Sequence, residues 1–282
     1  MMSYLGRIAC GLMVFGACFG GVPVNASPVL PLHYFVSDGA SEPFQIVSNH
    51  RPLLSPAPAL ISAETMVEDS VPLHSGVITD ILLAALKPLE TPLDILIRPY
   101  KRLKMEIVSQ RFPRWISYGA PTWTDPQIMA QGEYIPVPIV DFRYTLTRMA
   151  DGSPQPLVAD IKRVRVIVIL GYTYARTFYD WIEQQEIQLV YAPNHSSALA
   201  MLMQRRGDFY LAEDLRTHWL LRQNQLNLTQ FHLIDFSSVI PPSQLFYIVD
   251  KNLPEPIKTR LQSRLTEMRD QGELEALIAP YR

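Results

Sequence analysis

Between residues 162 and 214 the sequence alternates between short apolar runs and amphipathic stretches: "KRVRVIVIL", "ARTFYDWIEQQ", "IQLVYAP", "NHSSALAMLMQRR" and "GDFYLAED". Continuous Val and Ile runs are the mark of strands buried on both faces, and parallel strands need helical crossovers between them. This interval therefore predicts a mostly parallel sheet covered by helices, with Asn194 capping one of them. A second series lies upstream. There "VLPLHYFVSD" and "LDILIRPY" read as strands, and "VITDILLAALKPL" and "KRLKMEIVSQR" as helices with Leu103 and Ile107 on the buried side of the latter. Pro88 is expected to end the first of these helices. Two such series predict an α/β fold with two doubly wound lobes.

The remaining segments are expected to connect these series. "IVDFRYTLTR" reads as one alternating strand followed by a turn at "DGSPQP", and residues 49–76, rich in Pro, Ser and Ala, as an irregular surface excursion. The tail, "LFYIVDKNLPEPIKTRLQSRLTEMRDQGELEALIAPYR", reads as a strand, a Pro-opened loop and one long amphipathic helix.

Arg7 is the only charge in the first 26 residues and precedes an apolar stretch broken by Gly and Pro. Residues 1–26 are expected to be a cleavable signal peptide, with Val24 and Ala26 as the small residues before the cut. The alternatives are a short membrane anchor, for which the run falls short of the roughly 20 residues that span a bilayer, and lipidation at Cys18. Both cysteines, Cys10 and Cys18, lie in this segment. The mature chain would hold no disulfide, thiolate metal site or cysteine nucleophile.

Net charge is −2 with scattered basic residues, which disfavours a nucleic-acid partner. The six histidines lack zinc-site spacing, no G-x-S-x-G elbow occurs, and "GYTYAR" lacks the second glycine and the lysine of a phosphate loop. No metal, cofactor or catalytic residue is expected.

Ligands of open α/β sheets sit beyond the carboxyl ends of the strands. By that rule the loop after "VRVIVIL" is a candidate site: Gly171 would make a tight turn, and Tyr172, Thr173 and Tyr174 would face a cleft. Aromatic residues crowd the other strand ends, among them Tyr34, Phe35, Phe44, Trp115, Tyr118, Trp123 and Tyr134. Of these, Tyr34, Phe44, Tyr118 and Trp123 are the candidates for ligand contact, favouring a flat or partly apolar solute with a few polar handles.

Four pieces in order, "RPYKRLKMEIVSQ", "KRVRVIVILGYTY", "VYAPNHSSALAMLMQRRGDFYLAED" and "LQSRLTEMRDQGELEALIAPY", give the chain from about residue 31 to 282 a resemblance to the family 3 solute-binding proteins of bacterial uptake transporters. The resemblance implies a type II periplasmic-binding-protein architecture with two lobes joined by two crossover hinge strands. Lobe 1 would comprise residues 27–140 plus 236–282 and lobe 2 residues 141–235, crossing near Ile139 to Asp141 and near Asp235 to Pro241. It implies a monomeric periplasmic protein that passes a small solute to an ABC-type permease. The alternatives are a sensor or adaptor for a membrane kinase, and a dehydratase-like cleft enzyme.

The same resemblance marks Glu213, five residues after Asp208, as the acid that would meet a ligand ammonium. The family's T-x-x-R turn corresponds to Thr124 to Gln127, so glutamine stands where an arginine clamps the carboxylate of an amino acid. Leaving a buried carboxylate without its counter-charge costs several kcal/mol, which disfavours an ordinary α-amino acid. Arg102, or else Arg98 or Arg176, could substitute, and Arg102 is the candidate carried forward.

Overall fold

The computed structural model describes residues 30–37, 41–48, 73–123 and 125–282. The signal-peptide segment, most of the 49–76 excursion and Thr124 lie outside the described residues.

The first part of the chain runs β1 (Leu32–Ser37), β2 (Ile46–Ser48), β3 (Leu73–Ser75), α1 (Val77–Leu86), β4 (Leu93–Arg98), α2 (Tyr100–Val108), β5 (Trp115–Gly119), α3 (Pro126–Gln131), β6 (Gly132–Tyr134) and β7 (Val140–Phe142). The middle part runs β8 (Tyr144–Met149), β9 (Arg165–Ile169), α4 (Arg176–Gln184), β10 (Gln188–Ala192), α5 (His195–Met203), β11 (Phe209–Glu213), α6 (Asp214–Gln223) and β12 (Phe231–Asp235). The tail supplies β13 (Ser243–Asp250), α7 (Glu255–Asp270) and α8 (Glu273–Ile278).

These strands build two separate main sheets. One has the order β4-β1-β5-β13-β6, with β7 also paired to β13; the other has the order β10-β9-β11-β8-β12. In the first, β1 is parallel to β4 and β5, and β13 runs antiparallel to β5, β6 and β7. In the second, β9 is parallel to β10 and β11, while β8 is antiparallel to β11 and β12. The parallel β9 is the Val/Ile run, and Val166 to Ile169 are all buried, as its uninterrupted apolar sequence requires.

The expected single strand over residues 139–148 is instead two strands. Phe142 pairs with Ser243 in the first sheet, whereas Thr145 pairs with Asp235 in the second, so the chain changes sheets at Arg143. It returns through residues 236–242. Arg143 ties the two passages together, reaching Asp214 and Asp235 at 3.5 Å each. Burial alternates across the change of partner, with Val140, Phe142 and Tyr144 buried and Asp141 and Arg143 exposed, and the alternation ends in β8, where Tyr144 to Thr147 are all buried.

The tail also differs from expectation. Gly272, at φ 74, breaks the long helix into α7 and α8, a left-handed conformation that glycine adopts without a Cβ penalty. Helix α1 buries Ile78, Ile81, Leu82, Ala85 and Leu86 in the core beneath β1 and β13, and Leu103 and Ile107 of α2 are buried as the sequence predicts. Each of these Leu and Ile side chains contributes about 1.5–3 kcal/mol of burial.

Helix α1 also fixes a loop. Its first N–H groups, on Val77 and Ile78, donate to the carbonyls of Pro43 and Phe44. Gly76 precedes it at φ 109, and a Cβ there would lie 2.7 Å from the Phe44 carbonyl oxygen. The 42–45 loop is thereby held against the helix start, where orphan amides need acceptors.

Candidate functional site

The carboxyl ends of three second-sheet strands converge on one region. After β9, the Tyr172 N–H bonds to the Ile169 carbonyl at 3.3 Å across a turn whose third residue is Gly171 at φ 84, a position that calls for glycine. After β10, the Asn194 side chain accepts from the Ser197 N–H at 2.8 Å and caps α5, which places His195 in the helix's first turn. After β11, Glu213 leads directly into α6. Asp208, at the opposite end of that strand, accepts from the Arg165 N–H at 2.7 Å and takes no part in the region.

Glu213 is 2 % exposed, and its carboxylate accepts from Arg216 Nε at 2.8 Å. Arg216 is one helical turn on, 3 % exposed, and its Nη1 donates to the backbone carbonyl of Glu42, in the loop held by α1. Its guanidinium also lies 5.0 Å from the centre of the Phe44 ring. A charged side chain on the second sheet's helix thus contacts the first sheet's loop through both a hydrogen bond and a cation–π contact. Burial pulls the Arg216 pKa down, but the Glu213 carboxylate more than offsets this and holds the guanidinium charged.

Aromatic rings surround this pair. Phe44 lies 6.4 Å from Tyr118 at ring centres, and a row runs from Trp123 to Phe142 (4.9 Å), Tyr144 (6.0 Å), Tyr174 (6.2 Å) and Tyr172 (6.5 Å). His195 continues it: Nδ1 is 2.6 Å from the Tyr210 hydroxyl and Nε2 is 3.3 Å from that of Tyr172. Desolvation, and then the charge of Arg216, hold the His195 pKa far below its usual value, so the ring is neutral. With one ring proton, it donates to one phenol and accepts from the other. Desolvation also raises the phenols of Tyr118, Tyr144, Tyr172, Tyr174 and Tyr210. Among the described residues, the Arg216–Glu213 ion pair is thus set among hydroxyls that stay uncharged at neutral pH.

The structure places the sequence-derived candidates differently. Phe44, Tyr118, Tyr172 and Glu213 gather around Arg216, and Trp123 and Tyr174 belong to the aromatic row. Tyr34 is fully buried beneath them; its hydroxyl accepts from Gln45 Nε2 at 2.8 Å and lies 3.2 Å from the Thr79 hydroxyl, with burial pushing its pKa up to about 12. Tyr174 also uses its hydroxyl internally, as acceptor for the Ile169 N–H at 3.2 Å.

Thr173 is exposed on the loop. Arg102 stands apart from the cluster on α2, where its Nε pairs with Glu106 at 3.0 Å beside Arg98 and Arg111. Arg176 likewise pairs along its own helix with Asp180. Gln127 follows Asp125, whose side chain caps α3 by accepting the Gln127 N–H.

Two residues were missed. Arg216 follows Glu213 at the i, i+3 spacing that pairs charges on a helix, a signal present in "EDLR". His195 stands just after the cap of α5, at the same strand-end position as the Gly171 turn.

Among the described residues no helix is long and apolar enough to cross a membrane, and no group of three or more metal-ligating side chains occurs. No protein-family model matches the sequence, and no curated protein matches it. Solved structures do. The substrate-binding protein of an amino acid ABC transporter is 17% identical, with 89% of this chain and 98% of that one covered and a TM-score of 0.59. An ancestral cationic amino acid solute-binding protein is 14% identical over 89% and 95%, with a TM-score of 0.65. A histidine kinase sensor domain with similarity to periplasmic binding proteins is 14% identical over 89% and 95%, with a TM-score of 0.59. Two α/β sheets joined by two crossings, matched over nearly nine-tenths of the chain, give this protein the bilobal fold of the type II periplasmic binding proteins.

Proposed function

We propose that this chain is a periplasmic receptor that captures a small polar or partly aromatic solute between its lobes and presents it to an ABC-type permease. The observation that carries the reading is the contact of Arg216 with the Glu42 carbonyl and the Phe44 ring. It brings groups from both lobes to one buried place, where a solute touching both would favour closure. The convergence of three strand ends on that place supports it further, since loops and helix starts there offer polar groups. The proposed lobe division is residues 27–140 with 236–282 against 141–235, with the pairing of Asp141 and Phe142 to β13 carrying the change of sheet two residues further, to Arg143; the receptor would act as a monomer exported through the 1–26 segment.

A second reading keeps the capture and changes the listener. A sensor domain of a histidine kinase shares this fold over 89% of the chain, so the closed form could be read by a membrane kinase. Native mass spectrometry of the mature protein tests the shared step. The expected result is a co-purified small molecule that dissociates on activation, and a thermal shift when the apoprotein meets it again. Absence of any bound molecule, with no shift across a broad solute panel, would remove both readings.

A further inference from the structure

The electrostatics of the cleft allow its solute to be specified by charge, an inference that rests on the receptor reading above. Arg216 is not an unspent cation waiting for a carboxylate. Its Nε already serves Glu213, and both residues are almost wholly buried. The group that Nη1 holds from the other lobe is a neutral oxygen, the Glu42 peptide carbonyl. The ring against the guanidinium face is Phe44.

Each alternative charge state of a solute can be weighed against this arrangement. An anion placed on Arg216 would put two carboxylates on one buried guanidinium and leave a net negative charge without water. A cation placed on Glu213 would stand against Arg216. Either state leaves a buried charge uncompensated by the described residues. Among the described residues His195 is held neutral and the neighbouring phenols are raised, so neither offsets such a charge. The Glu42 carboxylate, which acts electrostatically on Tyr172, adds negative charge at the rim and further disfavours an anion. A neutral oxygen satisfies Nη1 and leaves the ion pair intact.

We infer that the cleft is selective for a solute without net charge that presents a carbonyl-type oxygen to Arg216 in place of the Glu42 carbonyl, with a flat face among Phe44, Tyr118 and Tyr172. An aromatic amide has this chemistry.

Three probes of nearly equal shape separate the charge states: benzamide, benzoate and benzamidine, added to the mature protein at neutral pH and followed by thermal shift and protein-observed NMR. Benzamide is expected to bind best, by roughly 10-fold or more, the scale of one charged hydrogen bond. Glu213→Gln leaves the guanidinium uncompensated and is expected to turn the preference to benzoate. If that variant does not fold, the wild-type ranking decides alone. Benzoate or benzamidine binding wild type as well as benzamide overturns the charge selectivity while leaving the receptor reading intact. No response to any of the three overturns the proposed class. The receptor reading falls separately, only if native mass spectrometry and the broad panel also find nothing.

Discussion

Burial disfavours an imidazolium, and the ring of His195 is buried between the hydroxyls of Tyr172 and Tyr210. In the unfolded chain the same ring takes up a proton near its usual pKa of 6.5, while the folded ring, with its pKa lowered by burial, does not. The unfolded state therefore binds more protons below that pH, and stability falls as pH drops. The loss from this residue alone approaches 1.4 kcal/mol per pH unit below about 6.5 and vanishes above it. Urea titrations at several pH values should show a shallower acid limb for His195→Gln than for wild type; equal slopes would mean that the folded ring protonates freely. Gly76 poses a different constraint. An added Cβ would meet the Phe44 carbonyl at 2.7 Å and the Pro43 carbonyl at 2.9 Å, in a backbone conformation that disfavours side chains. Gly76→Ala is expected to cost about 2–4 kcal/mol, read as a lower urea midpoint, and to displace the loop that carries Phe44.

Among the elements, α1 is the one that holds the 42–45 loop, and the far end of the chain holds α1. The Tyr281 hydroxyl donates to Asp80 at 2.5 Å and accepts from the Gly76 N–H at 3.1 Å, so the last turn of the tail closes the first turn of α1. Tyr281→Phe removes both bonds and is expected to cost about 1–3 kcal/mol in urea denaturation, because a partly buried amide and carboxylate lose a partner. A change within a few tenths of a kcal/mol would show that water replaces the hydroxyl without loss. Elements with strong local signals were legible in the sequence: the Val/Ile run of β9, the apolar face of α1, the Asn194 cap of α5. Others lacked such a signal. The expected strand at 139–148 was broken by a change of partner at Arg143, across which burial still alternates from Val140 to Tyr144. Strand β12, "FHLID", interrupts its apolar positions with His232 and ends on Asp235, so its pairing with β8 comes from tertiary context.

For the whole molecule the decisive relation is between lobes, and that is where the sequence was least informative. Glu42 and Arg216 are separated by 174 positions, and the acceptor is a backbone carbonyl that any residue would supply. Glu213 could be singled out because the family resemblance marks the acid five residues after Asp208; that its charge is already answered by Arg216 required the helix geometry that follows. Under the proposed receptor reading, the contact predicts a closed arrangement that is favoured before any solute arrives. Each hydrogen bond to a charged group contributes about 1.5–3 kcal/mol, enough to move an open–closed equilibrium roughly 10- to 100-fold. Replacing Arg216 alone would leave Glu213 buried without this partner, so the informative variant changes both, Glu213→Gln with Arg216→Met, which removes the two opposite charges together. Without solute, small-angle X-ray scattering should give this double variant a larger radius of gyration than wild type, with circular dichroism unchanged. The same radius in both proteins would mean that the Arg216 contact follows closure without driving it, and that the hinge strands at 140–144 and 235–243 set the equilibrium by themselves.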